Sequence, residues 1–463
     1  ESLDAFGTLS KSGCDMAIYQ EEIQRQRSNR SLSLRRITAI GSSPGIKSTS
    51  SVIQTNTVML DATYALEVFN NPPTTESDTK EIQNFDSFLG TIHKYSLKNP
   101  RAIKHSFNNP ELIKSFANII SFGLPEKTLC IALQVMGCLF PHLDKYQDLF
   151  VDKIFDFIND LIESPNEDIA LSALSLITII SNFSAYGRDA LLSLGTHIVI
   201  SDLLTNILDD LPENYAEGNI EHVVDIASDS IFHIFANPAA IESHEILTDF
   251  LPNIIHILQS LNPLMKTSIN SIIMTMVEMS NKYPSLVFRY YENELFPFFI
   301  EKLQDPDLVG STLCIIGNCC GANPSQIQQF LDEGLIDYLL QFFETEYATD
   351  SFWIFSNLLQ SIPDVIFPIV MNEEFIRNVI SVASSSSFDL KKEASFLLST
   401  IIINSSFISG MSSDIQPFIT SEIFDIFTDM LSGGDQKIIE RCINTFIKLI
   451  TAAIQEGPQA CSQ

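Results

Sequence analysis

The stretch Glu167-Asp168-Ile169-Ala170-Leu171-Ser172-Ala173-Leu174-Ser175-Leu176-Ile177-Thr178-Ile179-Ile180 carries nine apolar residues in fourteen positions. A surface helix shows a single apolar stripe, and this segment is too densely apolar for that. The pattern predicts a helix almost wholly buried between neighbours. Similar segments with helical spacing follow one another from about residue 83 to about 452, separated by short breaks containing Pro, Asn, Asp and Gly. Clean strand alternation and hairpin turns are absent from the sequence, so an all-α fold is expected.

The same kind of helix recurs at a fixed rhythm. Many copies open with polar residues and then set a small residue beside a bulky one. Taking one reference position in each gives Leu133, Leu174, Asp229, Met274, Cys314, Trp353, Phe396 and, near the end, Asn444. Successive separations are 41, 55, 45, 40, 39, 43 and 48 residues. A period of about 40–47 residues with two or three helices per unit is the armadillo or HEAT pattern. The 55-residue step fits an insertion around Asp209-Asp210-Leu211-Pro212-Glu213-Asn214. No unit of this size buries its apolar face alone. The expectation is a right-handed superhelical solenoid of about eight or more repeats with a long concave groove.

Charge separates the chain into a leader and a body. The 463 residues include 57 acidic and 27 basic side chains, for a net charge of −30, and 45% of residues are apolar. Residues 1–50 hold seven basic and five acidic residues, so that segment is +2 and the remaining 413 residues carry −32. A basic, Ser-rich leader on an acidic body reads as a mobile tail. The soft stretch Asn70-Asn71-Pro72-Pro73-Thr74-Thr75-Glu76-Ser77 reads as a linker or long loop. The expected organisation is a leader and linker over 1–82, a solenoid over 83–452 and a tail over 453–463.

The acidic balance argues against a fold that coats nucleic acid. No run of 18 apolar residues is present to span a membrane, and the start Glu1-Ser2-Leu3-Asp4 is too polar for a signal peptide. Eight cysteines without a C-x-x-C pair read as reduced core thiols of a cytoplasmic or nuclear protein. Neither a metal nor a cofactor is called for by any ligand spacing. Gly41-Ser42-Ser43-Pro44-Gly45-Ile46-Lys47-Ser48 lacks the contiguous Gly-Lys of a phosphate loop, and His244-Glu245 lacks the second His of a metalloprotease helix. No G-x-S-x-G elbow occurs either, so the chain is expected not to be an enzyme.

Three further stretches carry a family resemblance. Gly317-Asn318-Cys319-Cys320-Gly321-Ala322-Asn323-Pro324-Ser325-Gln326-Ile327-Gln328-Gln329-Phe330-Leu331-Asp332-Glu333-Gly334-Leu335 and Asp350-Ser351-Phe352-Trp353-Ile354-Phe355-Ser356-Asn357, with Lys392-Glu393-Ala394-Ser395-Phe396-Leu397-Leu398-Ser399-Thr400, resemble importin-α. That family carries K-E-A-x-W-x-x-x-N helices in the same order. The specific part covers about residues 305–405, and the rhythm alone extends it over about 85–452. Trp and Asn four residues apart share one helix face. A ladder of such pairs holds an extended peptide: amides bond its backbone, and lysine stems lie between indole faces. In the family that peptide is a nuclear localisation signal.

The resemblance implies a peptide-binding set of Asn318, Asp350, Trp353, Asn357, Glu393 and Phe396. Trp353 and Asn357 form the full pair, with Asp350 as the acid three positions ahead. In the next unit Glu393 keeps the acid, while Phe396 and Thr400 replace Trp and Asn; in the preceding unit Asn318 stands with Cys314. These units correspond to the family's C-terminal, minor site. The N-terminal, major-site pairs read Leu174/Thr178, Asp229/His233 and Met274/Glu278, without an indole, since Trp353 is the chain's single Trp. Arg25, Arg27, Arg30, Arg35 and Arg36 stand where the family has its importin-β-binding segment. A plain disordered tail is the alternative.

Two functions are therefore expected. One is a divergent importin-α-like adaptor that binds basic linear motifs in an acidic groove, with an importin-β-like receptor as a further partner. The other is an armadillo scaffold in a stable cytoskeletal or ciliary assembly, with transport lost. The adaptor reading expects Trp353 to open onto the groove, the alternative being a core or inter-repeat packing role.

Overall fold

A computed structural model describes residues 62–98, 104–211, 219–236, 244–385, 388–408, 418, 420–432 and 436–456. All regular structure among them is helical. The chain divides into two compact units at Tyr283/Pro284, so each is treated by itself. Helices of six or more residues in the first are α1 (Ala62–Asn70), α2 (Thr79–Lys98), α3 (Pro110–Asn118), α4 (Glu126–Leu139), α5 (Gln147–Ile162), α6 (Glu167–Phe183), α7 (Ala185–Ser193), α8 (Thr196–Asp209), α9 (Asn219–Phe235), α10 (His244–Ser260) and α11 (Lys266–Lys282). The second holds α12 (Val287–Glu292), α13 (Leu295–Lys302), α14 (Val309–Cys319), α15 (Pro324–Asp332), α16 (Leu335–Gln341), α17 (Ala348–Ser361), α18 (Pro363–Val370), α19 (Glu373–Ser385), α20 (Phe388–Ile408), α21 (Ser421–Leu431) and α22 (Gln436–Glu456).

Each unit is two layers of helices. In the first, α2, α4, α6, α9 and α11 pack side by side in chain order, and α1, α3, α5, α8 and α10 form the second row. In the second unit the corresponding inner row is α14, α17, α20 and α22. All eight reference positions of the repeat, Leu133 through Asn444, fall on successive inner-row helices. Inner-row helices are buried on several sides, which is why α6 is so densely apolar: Ala173, Leu174, Leu176, Ile177 and Ile180 are all buried.

Local chemistry starts and stops these helices. Asn166 caps α6, accepting hydrogen bonds from the Asp168 and Ile169 backbone N–H groups. At α15, Asn323 and Gln326 form a reciprocal capping box with Pro324 in the first turn. Gly195 and Gly334, with φ of 72° and 85°, turn the chain into α8 and α16 in the left-handed region that favours glycine.

The repeat period is visible as polar contacts between equivalent turns of neighbouring inner helices. Thr128 Oγ1 donates to Asp86 Oδ1 at 2.7 Å, and Asn166 Nδ2 donates to Glu126 Oε2 at 2.7 Å. Ser399 and Thr445 share a buried hydroxyl–hydroxyl bond of 2.7 Å. Packed structure begins earlier than expected. α1 lies inside the segment read as leader, yet Phe69 is fully buried, with its ring centroid 4.9 Å from that of Phe116. Pro72 and Pro73 of the expected linker are buried as well. The prolines just after α1 masked this start, because the apolar partner of Phe69, Phe116, comes from α3.

Candidate peptide-binding grooves

Trp353 does not open onto a groove. It sits on α17, 1% exposed, with its six-membered ring against the backbone of Gly317 on α14. A β-carbon placed on Gly317 would lie 2.0 Å from Trp353 Cζ3 and 2.3 Å from Cη2, so only glycine leaves room for the indole. One turn on, Asn357 is 2% exposed, and its Nδ2 donates to the Gly317 carbonyl at 3.2 Å. A further turn on, Ser361 Oγ donates to the Cys320 carbonyl at 2.7 Å. The last carbonyls of an α-helix have no partner within it. Here a stripe at i, i+4 and i+8 on α17 caps the end of α14. The groove exposure expected for Trp353 is corrected to the packing alternative. The i, i+4 spacing puts Trp and Asn on one face, but that face meets a neighbouring helix.

Of the remaining predicted residues, Asn318 and Glu393 are buried and Asp350 is half-buried. Phe396 is half-buried on α20, and its ring is covered by a residue no sequence motif singled out. The Arg441 guanidinium lies 3.7 Å from the Phe396 ring centroid, a cation–π contact. Its Nη2 donates to Thr400 Oγ1, which in turn donates to the Phe396 carbonyl at 2.8 Å. Arg441 stands three residues before the reference position Asn444, the register of Asp350 before Trp353 and Glu393 before Phe396. The one signal in the sequence was this reversal of charge.

The 62–283 unit offers a different surface. An open groove of about 710 Å³ runs across α4, α6 and α9. Its apolar lining includes Leu133, Leu171, Leu176, Ile179 and Ile226, and its charged lining is Glu126, Asp168 and Lys127, with His93 and His222 beside them. Positions three residues before the reference again face it: Cys130, Leu171 and Ile226. Burial, followed by the charge of Asp168, raises the Cys130 thiol, and burial raises Cys138, so both groove thiols stay protonated at neutral pH.

The expected major-site pairs are largely internal. Leu174, Met274 and Glu278 are buried, while Thr178 Oγ1 and Ser230 Oγ are 2.9 Å apart across α6 and α9. His233 Nε2 lies 3.6 Å from Asp229 Oδ2. Burial raises the Asp229 carboxyl, the attraction of His233 opposes this, and Asp225 adds to it. The reference positions and those four residues on lie mostly between helices, although Leu133 and Gly137 also border the groove. The groove-facing stripe is offset from them by about one residue, as in Cys130, Gln134 and Cys138. Arg25, Arg27, Arg30, Arg35 and Arg36, and the stretch Gly41–Ser48, lie outside the described residues. Among the described residues no helix is by itself long and apolar enough to cross a membrane, and no three His, Cys, Asp or Glu side chains gather to hold a metal ion.

No protein-family model and no curated protein matches this sequence. Solved structures do resemble the fold. The crystal structure of an engineered protein is 12% identical, with 84% of this chain and 94% of that chain covered and a TM-score of 0.55. A second engineered protein is 10% identical over 53% of this chain and 98% of its own, with a TM-score of 0.44, too low to carry an argument. The first likeness is one of fold alone. Together with the two helix rows and the repeat spacing, it makes the chain an all-α helical-repeat solenoid.

Proposed function

We propose that the chain is a non-enzymatic adaptor that binds a basic, partly apolar linear segment of another protein. The segment lies in the groove of the 62–283 unit. The observation that carries this reading is the pairing of an apolar lining, Leu133, Leu171, Leu176, Ile179 and Ile226, with the carboxylates of Glu126 and Asp168. Such a surface suits alternating apolar and Lys or Arg side chains: the first bury area, and the second meet charge. A body of −32 draws basic segments toward it from a distance. The resemblance to importin-α supports the same class, with a nuclear localisation signal as the segment, the leader arginines as contacts for an importin-β-like receptor, and the cytoplasm and nucleus as its place. The site itself moves from Trp353 to the other unit.

One observation favours the scaffold reading instead. Trp353 and Asn357, the one full match to the peptide ladder, close a joint between two helices. A chain that kept the fold and lost the ladder fits a cytoskeletal or ciliary assembly. A fluorescent Lys-rich localisation peptide, titrated at low and physiological salt, separates the two. The adaptor reading expects salt-sensitive binding. Asp168→Asn or Glu126→Gln is expected to weaken it by about 0.5–1 kcal/mol, the scale of a partly exposed ion pair. A folded protein that binds no such peptide, and that co-purifies with a structural assembly, belongs to the scaffold class.

A further inference from the structure

A second concave site in the 62–283 unit has the opposite chemistry to the groove. It lies at the ends of two second-row helices, where the turn 104–108 ahead of α3 meets the loop 142–146 ahead of α5. A pocket of about 420 Å³ opens there and shares no lining residue with the groove. Phe107 and Leu143 are its buried apolar lining. Lys104, His105, His142 and Lys145 line it as well, together with Asn108 and a single carboxylate, Asp144. Asp144 Oδ2 lies 2.6 Å from Lys104 Nζ. Lys145 Nζ stands 4.9 Å from the Tyr146 ring centroid and, among the described residues, pairs with no carboxylate. Other lysines of this acidic chain stand beside an acid: Lys114 with Glu111, Lys302 with Glu301 and Lys391 with Asp429.

A body of −32 repels an extended polyanion, and it repels each scattered carboxylate of an acidic segment. A ligand for this pocket therefore has to concentrate its charge at one point. A phosphorylated side chain does so, with about two negative charges and three acceptor oxygens. The two ammonium groups, the two imidazoles and the Asn108 amide are donors for those oxygens. Phe107 and Leu143 offer apolar area to the residue beside the phosphate. We propose that this pocket binds a phosphorylated side chain of a partner polypeptide, with Lys145 and Lys104 on the phosphate and Asp144 opposing it. The assignment goes beyond the groove reading. Its probe carries no basic residue, so the two stand or fall separately.

That probe is a fluorescent peptide of glycine, alanine and leucine with one phosphoserine and no other charge, titrated into the full chain. It is expected to bind about 10-fold more tightly than the same peptide with serine, the worth of hydrogen bonds to a charged group. Lys145→Gln should weaken it about 3–5-fold, and Lys104→Gln/Lys145→Gln further, with circular dichroism unchanged. Asp144→Asn keeps a residue that tolerates the left-handed backbone found there, φ 47°, and should strengthen binding about 2–3-fold. A purely structural role for Asp144 gives no such gain. Equal binding of the phosphorylated and unphosphorylated peptides, or no change in the folded double-lysine variant, overturns the site. Inorganic phosphate is the competitor that tests the source of the anion. Equal affinity for phosphate and phosphopeptide makes a free anion the ligand and overturns the partner half. Pelleting with phosphoinositide vesicles, without binding of the phosphopeptide, overturns that half in favour of a lipid headgroup.

Discussion

The two units use one register for opposite chemistry. Three residues before the reference position, the first unit carries Cys130, Leu171 and Ile226, and these line an open groove. At the same register the second unit carries Asp350, Glu393 and Arg441, and Arg441 is turned onto its neighbour's aromatic ring. Ser271 and Ser311 stand between the two sets in sequence. A solenoid thus fixes where a position points, while the residue type decides whether that place becomes a groove or a joint. Aromatic residues at the reference position occur only in the second unit, and there they serve contacts between helices.

The largest expected effect would break this comparison outright. Trp353→Ala empties a fully packed space and should cost about 3–5 kcal/mol. Hydrogen exchange should rise in α14 and α17, with little change in residues 62–283. A stable Trp353→Ala protein with weakened peptide binding would restore the groove role for that indole. Fluorescence of the single Trp gives an independent check, since a buried indole emits at short wavelength and resists quenchers.

Next in size is an acid response confined to one unit. All eight histidines lie at or before residue 256. His197 packs edge-on against Phe235 and Phe250, with centroids 5.8 and 4.9 Å away. Burial lowers its pKa from 6.5 to about 4. The folded unit therefore holds it neutral where the unfolded chain would take a proton. That contribution is complete above about pH 6.5 and is lost as pH falls toward about 4, up to about 3 kcal/mol in all. Denaturation followed at several pH values should show this slope in residues 62–283, and His197→Leu should flatten it.

Gly317→Ala sharpens the joint. In an ordinary helix interior this change gains up to about 1 kcal/mol. Against Trp353 it meets ring carbons 2.0 Å away, so a net loss of about 1–3 kcal/mol is expected. A stabilised Gly317→Ala protein, judged by its urea midpoint, would mean that the indole lies elsewhere. The smallest effect belongs to the groove unit. Asn166→Ala removes the cap of α6 together with the bond to Glu126, and should cost about 1 kcal/mol. It should also loosen the acidic side of the groove, so peptide binding should weaken with stability. Binding left unchanged would place the ligand away from Glu126.

The sequence by itself determined the helical class, the repeat and the helices that form the inner row. Those properties follow from spacing along one chain: apolar density around a helix says how many sides are covered, and recurrence at about 40 residues says by what. It also marked Trp353 and Asn357 as partners on one face, which they are. Only the tertiary structure decided which surface that face meets. An i, i+4 pair looks the same whether a peptide or a neighbouring helix lies opposite. The deciding residue, Gly317, is remote in sequence and matters through the side chain it lacks. Arg441 escaped for the same reason, since its partner Phe396 lies one full repeat away. The start of packing at Ala62 was hidden likewise, because a short helix that buries Ala65 and Phe69 acquires that burial from Phe116 and its neighbours rather than from its own pattern.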